Sequence, residues 1–156
     1  MKFEGDLVKL IIDADACPRG ALEICRLAAR EHGIELWTVS SFNHNISGAN
    51  HTTVGNSPEE VDLKIANMVS PGDLVVTQDM GLAALVLARG AAALNTIGRE
   101  YVGADMPLML EQRAARAKHR RGGGRTPGPR KRKASDDHSF RLGLLALLAR
   151  LGARKA

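Results

Sequence analysis

Asp13 and Asp15 sit two residues apart in IIDADACP, immediately after a short apolar run. In extended chain such a pair points the same way. Two carboxylates so placed repel each other unless a cation lies between them or one is protonated. Asp79 ends a second apolar run, VVTQD, and repeats the geometry of Asp13. Asp62 lies on a helical segment at the border of its apolar stripe, between Val61 and Ile65, from where it can reach a sheet edge. Oxygen donors of this kind suit Mg²⁺ or Mn²⁺, which keep several waters and need only a few carboxylates. Two such ions activate a water and steady the leaving oxygen of a phosphodiester. Each acid also has a plainer reading: Asp15 and Asp79 as helix caps, Asp62 as a solvated side chain. The metal reading is preferred for the set, not for any one member.

The residues around these acids add weaker candidates. Ser40, Ser41 and Asn43 leave a strand toward the same end of the fold, where they could meet phosphate oxygens. His44 and His51 lie in the polar loop that follows, with spacing that fits no zinc motif. Cys17 and Cys25 form neither a CxxC pair nor a zinc site. If the segment between them is helical they stand roughly 12 Å apart, too far for a disulfide, so reduced thiols are expected. No GxSxG or Walker sequence occurs, which argues against a serine hydrolase or a P-loop NTPase.

Periodicity supplies the elements that must position these groups. Leu7 to Ile12 reads as a buried parallel strand. Residues 19–32 have a helical apolar period, opened near Pro18 and closed by Gly33. Residues 34–39 form a second strand, and 40–57 a polar loop with room for a short strand at His51 to Val54. Ser57-Pro58-Glu59-Glu60 is a strong helix start, and that helix runs to about Val69. Asp73 to Thr77 is a strand, 80–89 a helix closed by Gly90, and Ala91 to Leu94 a fourth clear strand. The remainder of the body, to about Ala117, includes a helix from Pro107. After Ser135-Asp136-Asp137 as a cap, the last helix spans Phe140 to Leu151, with Leu142, Leu145, Leu148 and Leu151 as its apolar stripe. Alternating strands and helices predict a parallel sheet covered on both faces. Strand order does not follow from periodicity.

Composition narrows the functional classes. Apolar residues make up 44% of the 156 residues but aromatics only 3%, so the core is aliphatic. Stacking platforms for bases are nearly absent, which argues against an RRM- or OB-type binder. No apolar run approaches the ~20 residues that span a bilayer, and the start of the chain lacks a signal-peptide pattern. The expected location is the cytoplasm, with no membrane partner. The net charge of +5 is unevenly spread: residues 116–133 hold nine cations and no acid, so the remainder is net −4. Arg120, Arg121 and Lys131 in that stretch suit contact with a phosphate backbone. A solvated linker explains them equally well. The Gly- and Pro-rich part, 122–134, is expected to be a flexible linker.

Three segments resemble the YaiI/YqxD family of bacterial proteins with PIN-like domains: IIDADACP at 11–18, VDLKIANMVSPGDLVVTQDMGLAALVLARGA at 61–91, and DDHSFRLGLLALLARL at 136–151. They span nearly the whole chain in the family's order. The resemblance implies a PIN-like three-layer α/β/α fold with a mainly parallel sheet over residues 1–121. The basic linker of 122–134 would then lead to a C-terminal helix, 135–156, packed on the domain or a partner. It also implies a metal-dependent ribonuclease. On this resemblance Asp13 is the first-strand acid, Asp62 the helical acid and Asp79 the acid ending the later strand. Asp15 and Cys17 belong to the family's own DADACP motif, and Asp105 is a candidate for the fourth acid of the usual PIN set. The expected function is Mg²⁺- or Mn²⁺-dependent cleavage of RNA. Asp13, Asp62 and Asp79 would be catalytic, and the same three with Asp15 would hold metal. The rivals are a non-catalytic module binding RNA, nucleotide or metal, and an interaction protein that self-associates through the C-terminal helix.

Overall fold

A computed structural model describes residues 8–41, 50–55, 57–126 and 130–152. At its centre lies β1 (Lys9–Asp13), flanked by β2 (Glu35–Ser41) and β4 (Leu74–Val76). β3 (His51–Val54) pairs with β2 and β5 (Ala92–Leu94) with β4, giving the order β3-β2-β1-β4-β5. All four pairings are parallel. The chain moves outward in one direction from β1 to β3, then returns to the other side of β1 for β4. The switch point therefore lies between β1 and β4, where open α/β sheets place their sites.

Alternation along the strands divides the core. Leu10, Ile12, Leu74 and Val76 face one side, where α1 (Arg19–His32) and α5 (Ala134–Arg150) cover them with Cys25, Phe140, Leu144 and Leu148. Ile11, Val39, Val75 and Ala93 face the other, under α2 (Pro58–Met68) and α3 (Met80–Ala88). Met106, at the start of α4 (Met106–Arg121), completes that layer. The result is the three-layer α/β/α arrangement expected from the alternation of elements. Among the described residues no helix is long and apolar enough to cross a membrane.

Local chemistry explains most boundaries. Ser57 Oγ accepts the amide of Glu60 (3.3 Å) and Pro58 opens α2. Gly33 ends α1 in the left-handed region at φ 63°. The last helix departs from expectation at its start and in the position of one leucine. It begins at Ala134, because Asp136 sits inside the first turn and accepts the Lys133 amide (2.8 Å). Of the expected stripe, Leu148 is buried and Leu145 and Leu151 pack partly buried on the same cluster, but Leu142 is exposed at 57%, and Phe140, Leu144 and Leu147 complete the buried face. A strict three-residue step drifts around a helix; the four- and seven-residue steps from Phe140 stay on one face. That face packs on the chain's own core. Its docking is close: a Cβ on Gly143 would stand 2.2 Å from the Gly98 carbonyl oxygen. The fourth helix extends past Ala117 to Arg121.

Candidate functional site at the carboxyl end of the sheet

Asp13 is the last residue of β1, and Asp79 follows β4, so parallel pairing of the two strands brings their ends together. Asp62 comes down from α2, which lies across that face. Together with Asp15, Ala16, Val61 and Gln78 they line a pocket of about 360 Å³. The three acids assigned from distant parts of the chain thus share one cavity, with Asp15 as a fourth.

Three of the four carboxylates, Asp13, Asp15 and Asp79, accept from nearby donors. The Thr77 hydroxyl donates to Asp13 Oδ2 (2.8 Å), and Thr77 Oγ1 accepts the Asp79 amide (3.0 Å). Asp79 Oδ1 caps α3 by accepting the amides of Gly81 (2.8 Å) and Leu82 (3.4 Å). It also faces Arg113 of α4 at 3.6 Å. Asp15 accepts the Ser41 amide (3.0 and 3.2 Å), which braces the turn after β1 against the end of β2. Tyr101 donates to the Thr77 carbonyl (3.2 Å), and Gln78 Nε2 to the Ala16 carbonyl (2.9 Å).

Negative charge accumulates here beyond what these donors relieve. Burial pushes the Asp13 carboxyl above its usual range, against the pull of the Thr77 hydroxyl and with help from Asp15 and Asp79. Asp62 is pushed up to about 6, by burial first and then by the charges of Asp79, Asp13 and Glu59. The neighbouring Asp79 carboxylate adds to that rise at short range. Burial, with the charges of Asp79 and Asp13, raises the Tyr101 phenol to about 12. Acids that raise one another's affinity for protons also raise their affinity for any other cation.

The donor set consists of carboxylate oxygens, which fits a hard divalent ion. Among the described residues, however, no three His, Cys, Asp or Glu side chains stand as a ready-made ligand group. One oxygen of Asp13 accepts from Thr77, and one of Asp79 from the start of α3.

The remaining candidates scatter. Ser40 is fully buried and its hydroxyl lies 3.1 Å from His51 Nε2, whose Nδ1 is 2.6 Å from Thr38 Oγ1. Ser41 is buried and meets the site only through its amide. Asn43 and His44 lie outside the described residues. Arg120, Arg121 and Lys131 are exposed and do not line the pocket; Arg120 Nη1 donates to Thr126 (3.2 Å). Asp105 is exposed in the turn before α4 and does not line it either. Both cysteines are free thiols. Cys17, pushed up to about 12 chiefly by burial, is a protonated packing group beside the site.

Thr77 and Arg113 also contact the pocket acids, and the sequence did not single them out. Thr77 had a signal, since it precedes Asp79 by two positions at the end of the same strand. Arg113 had none, because its place depends on how α4 lies over α3.

A family model described as an uncharacterised YaiI/YqxD family matches residues 11–150. The chain is 46% identical to a UPF0178 protein of Heliobacterium modesticaldum over 141 residues, covering 90% of this chain and 97% of that one. It is 42% identical to a UPF0178 protein of Exiguobacterium sibiricum, covering 90% and 96%. For the UPF0178 protein Lmo1456 of Listeria monocytogenes the figures are 38%, 85% and 90%. No solved structure matches.

Proposed function

The chain belongs to the YaiI/YqxD family, and from that premise we propose a metal-dependent phosphodiesterase that acts on RNA. The observation that carries the reading is the meeting of Asp13, Asp62 and Asp79 in one pocket at the switch point of the sheet. Acids that repel one another in a cleft are costly to folding, and such costs concentrate at functional sites. A Mg²⁺ or Mn²⁺ ion held by these three residues, with Asp15 as a further donor, would supply Lewis acidity toward a phosphodiester oxygen. Thr77 fixes the orientation of Asp13. Tyr101 steadies the backbone of Thr77 from below. Asp15 ties the ends of β1 and β2 so that the pocket keeps its width.

A second reading is favoured by the fittings of Asp79, which caps α3 and faces Arg113. On that reading the acids serve structure and the protein is a non-catalytic module that binds RNA, nucleotide or metal. Mixed-sequence RNA oligonucleotides incubated with Mn²⁺ separate the two. The phosphodiesterase reading expects cleavage by the wild type and none by the double variant Asp13→Asn, Asp79→Asn. Binding without cleavage across metals and pH would overturn it in favour of the module.

A further inference from the structure

Helix α4 has an unusual relation to the fold. Of its 16 residues only Met106 is buried; Met109 and Leu110 are half-buried, and from Glu111 onward every residue except Ala117 is exposed. An isolated exposed helix of this length gains little from propensity alone. It has one acid, Glu111, to set against Arg113, Arg116, Lys118, Arg120 and Arg121. Yet it is placed so that Arg113 reaches the acidic pocket, 3.6 Å from Asp79 Oδ1. The contact is loose and about half open to solvent at the arginine, so the guanidinium can exchange partners at little cost.

We propose that α4 is the arm that grips the phosphate backbone of a single-stranded RNA entering the pocket. Arg113 exchanges Asp79 for a phosphate at the pocket mouth, while Arg116 and Arg120 hold the phosphates leading away from it. The inference rests on the phosphodiesterase reading and states how that substrate is held. Arg116 and Arg120 follow Arg113 by three and seven residues, which keeps all three within about 60° of arc on the helix. They extend the stripe by roughly 4.5 and 10.5 Å along the axis. One row of guanidiniums matches one line of phosphates, and Arg is suited to such contacts by its fork of donors. Lys118 lies about 140° around the helix from Arg113 and belongs to another face. With so few aromatics to stack bases, affinity must come from phosphates, and so must be salt-sensitive and indifferent to sequence.

The test is fluorescence anisotropy with a labelled single-stranded RNA of mixed sequence, in chelator, across a salt series. RNA cleavage with Mn²⁺ is followed in parallel. Each lost phosphate contact flattens the slope of log affinity against log salt by about 0.7 for single strands. The Arg116→Ala, Arg120→Ala double variant should therefore lose about 1.4 from the slope and bind roughly tenfold or more weakly at low salt. Lys118→Ala should leave the slope near wild type. All these positions are exposed, and unchanged thermal melting checks that the variants fold. An unchanged slope in the double variant, or an equal loss in Lys118→Ala, overturns the arm. So does tighter binding of duplex than of single strand. If the wild type cleaves RNA while the slope ignores Arg116 and Arg120, the arm fails and the phosphodiesterase stands. If the slope depends on them but no cleavage occurs, the arm stands and the hydrolytic reading falls.

Discussion

At the start of α5, Asp136 takes two hydrogen bonds from the Arg130 guanidinium (2.9 and 2.6 Å) and one from the Lys133 amide. Arg130 holds its carboxyl down at about 2. Its neighbour Asp137 is paired with Arg132 (2.8 Å), whose other end donates to the Thr96 carbonyl after β5. In the pocket, Asp62 meets burial and the charges of Asp79 and Asp13, and is pushed up to about 6. The same residue type is thus stabilised as an anion in one place and discouraged in the other. Where an aspartate serves the fold, the chain supplies cations and amides to match it. Where carboxylates gather at the switch point, Arg113 faces Asp79 only loosely, at 3.6 Å. A surplus of negative charge at one site and a balance at another point to a role for the first that folding does not require.

The contrast can be broken from its structural side with the largest effect. Phe140 is fully buried in the cluster that joins α5 to α1 and the sheet. Phe140→Ala should cost about 3–5 kcal/mol in urea unfolding. A loss below about 1 kcal/mol would mean that α5 is an accessory and its paired aspartates mere surface ornaments. From the functional side, Mn²⁺ at about 100 times its dissociation constant should stabilise the wild type by about 2.7 kcal/mol. The Asp13→Asn, Asp79→Asn variant should gain almost nothing. Asparagine still accepts from Thr77 and still caps a helix, so this pair removes charge and spares the local fold. An equal metal response in the variant would remove the cation from the site.

How far the two regions could be read from sequence differs for a physical reason. Asp13 and Asp79 were legible because strand ends carry them: a parallel sheet aligns the carboxyl ends of β1 and β4 whatever the details of packing, whereas Asp62, on α2, was assigned by the family resemblance. Ser57 and Gly33 were legible because their caps are local. The face of α5 was legible only in part: Leu145, Leu148 and Leu151 pack on the core as their spacing suggests, but Leu142 turns to solvent and Phe140 and Gly143 set the centre of the docked side. Its early start depends on Asp136, whose partner Arg130 lies in the basic stretch expected to be a flexible linker. Arg113 depends on the course of α4 over α3, a tertiary fact with no periodic trace in sequence.

The smallest effect is the sharpest, because its sign differs between the two regions. In metal-free protein the Asp62 carboxyl titrates near 6 when folded and near 3.9 when unfolded. Between those values the folded state binds more protons, so stability falls as pH rises from about 4 to about 6 and stays low above. Asp62→Asn should abolish that fall and raise the neutral-pH melting temperature by about 1–3 °C, a small figure because the carboxyl is only partly buried and solvent screens it. Asp136 has the opposite linkage: its carboxyl titrates near 2 when folded, so its contribution is complete above about 4 and is lost as pH falls toward 2. Asp136→Asn should therefore lower the melting temperature at neutral pH and flatten the acid limb of the profile. Melting curves of both variants from pH 2 to 8 in chelator measure the two signs together. If both substitutions destabilise, the pocket acids are paired like those of α5, and the case for a cation between them loses its physical basis.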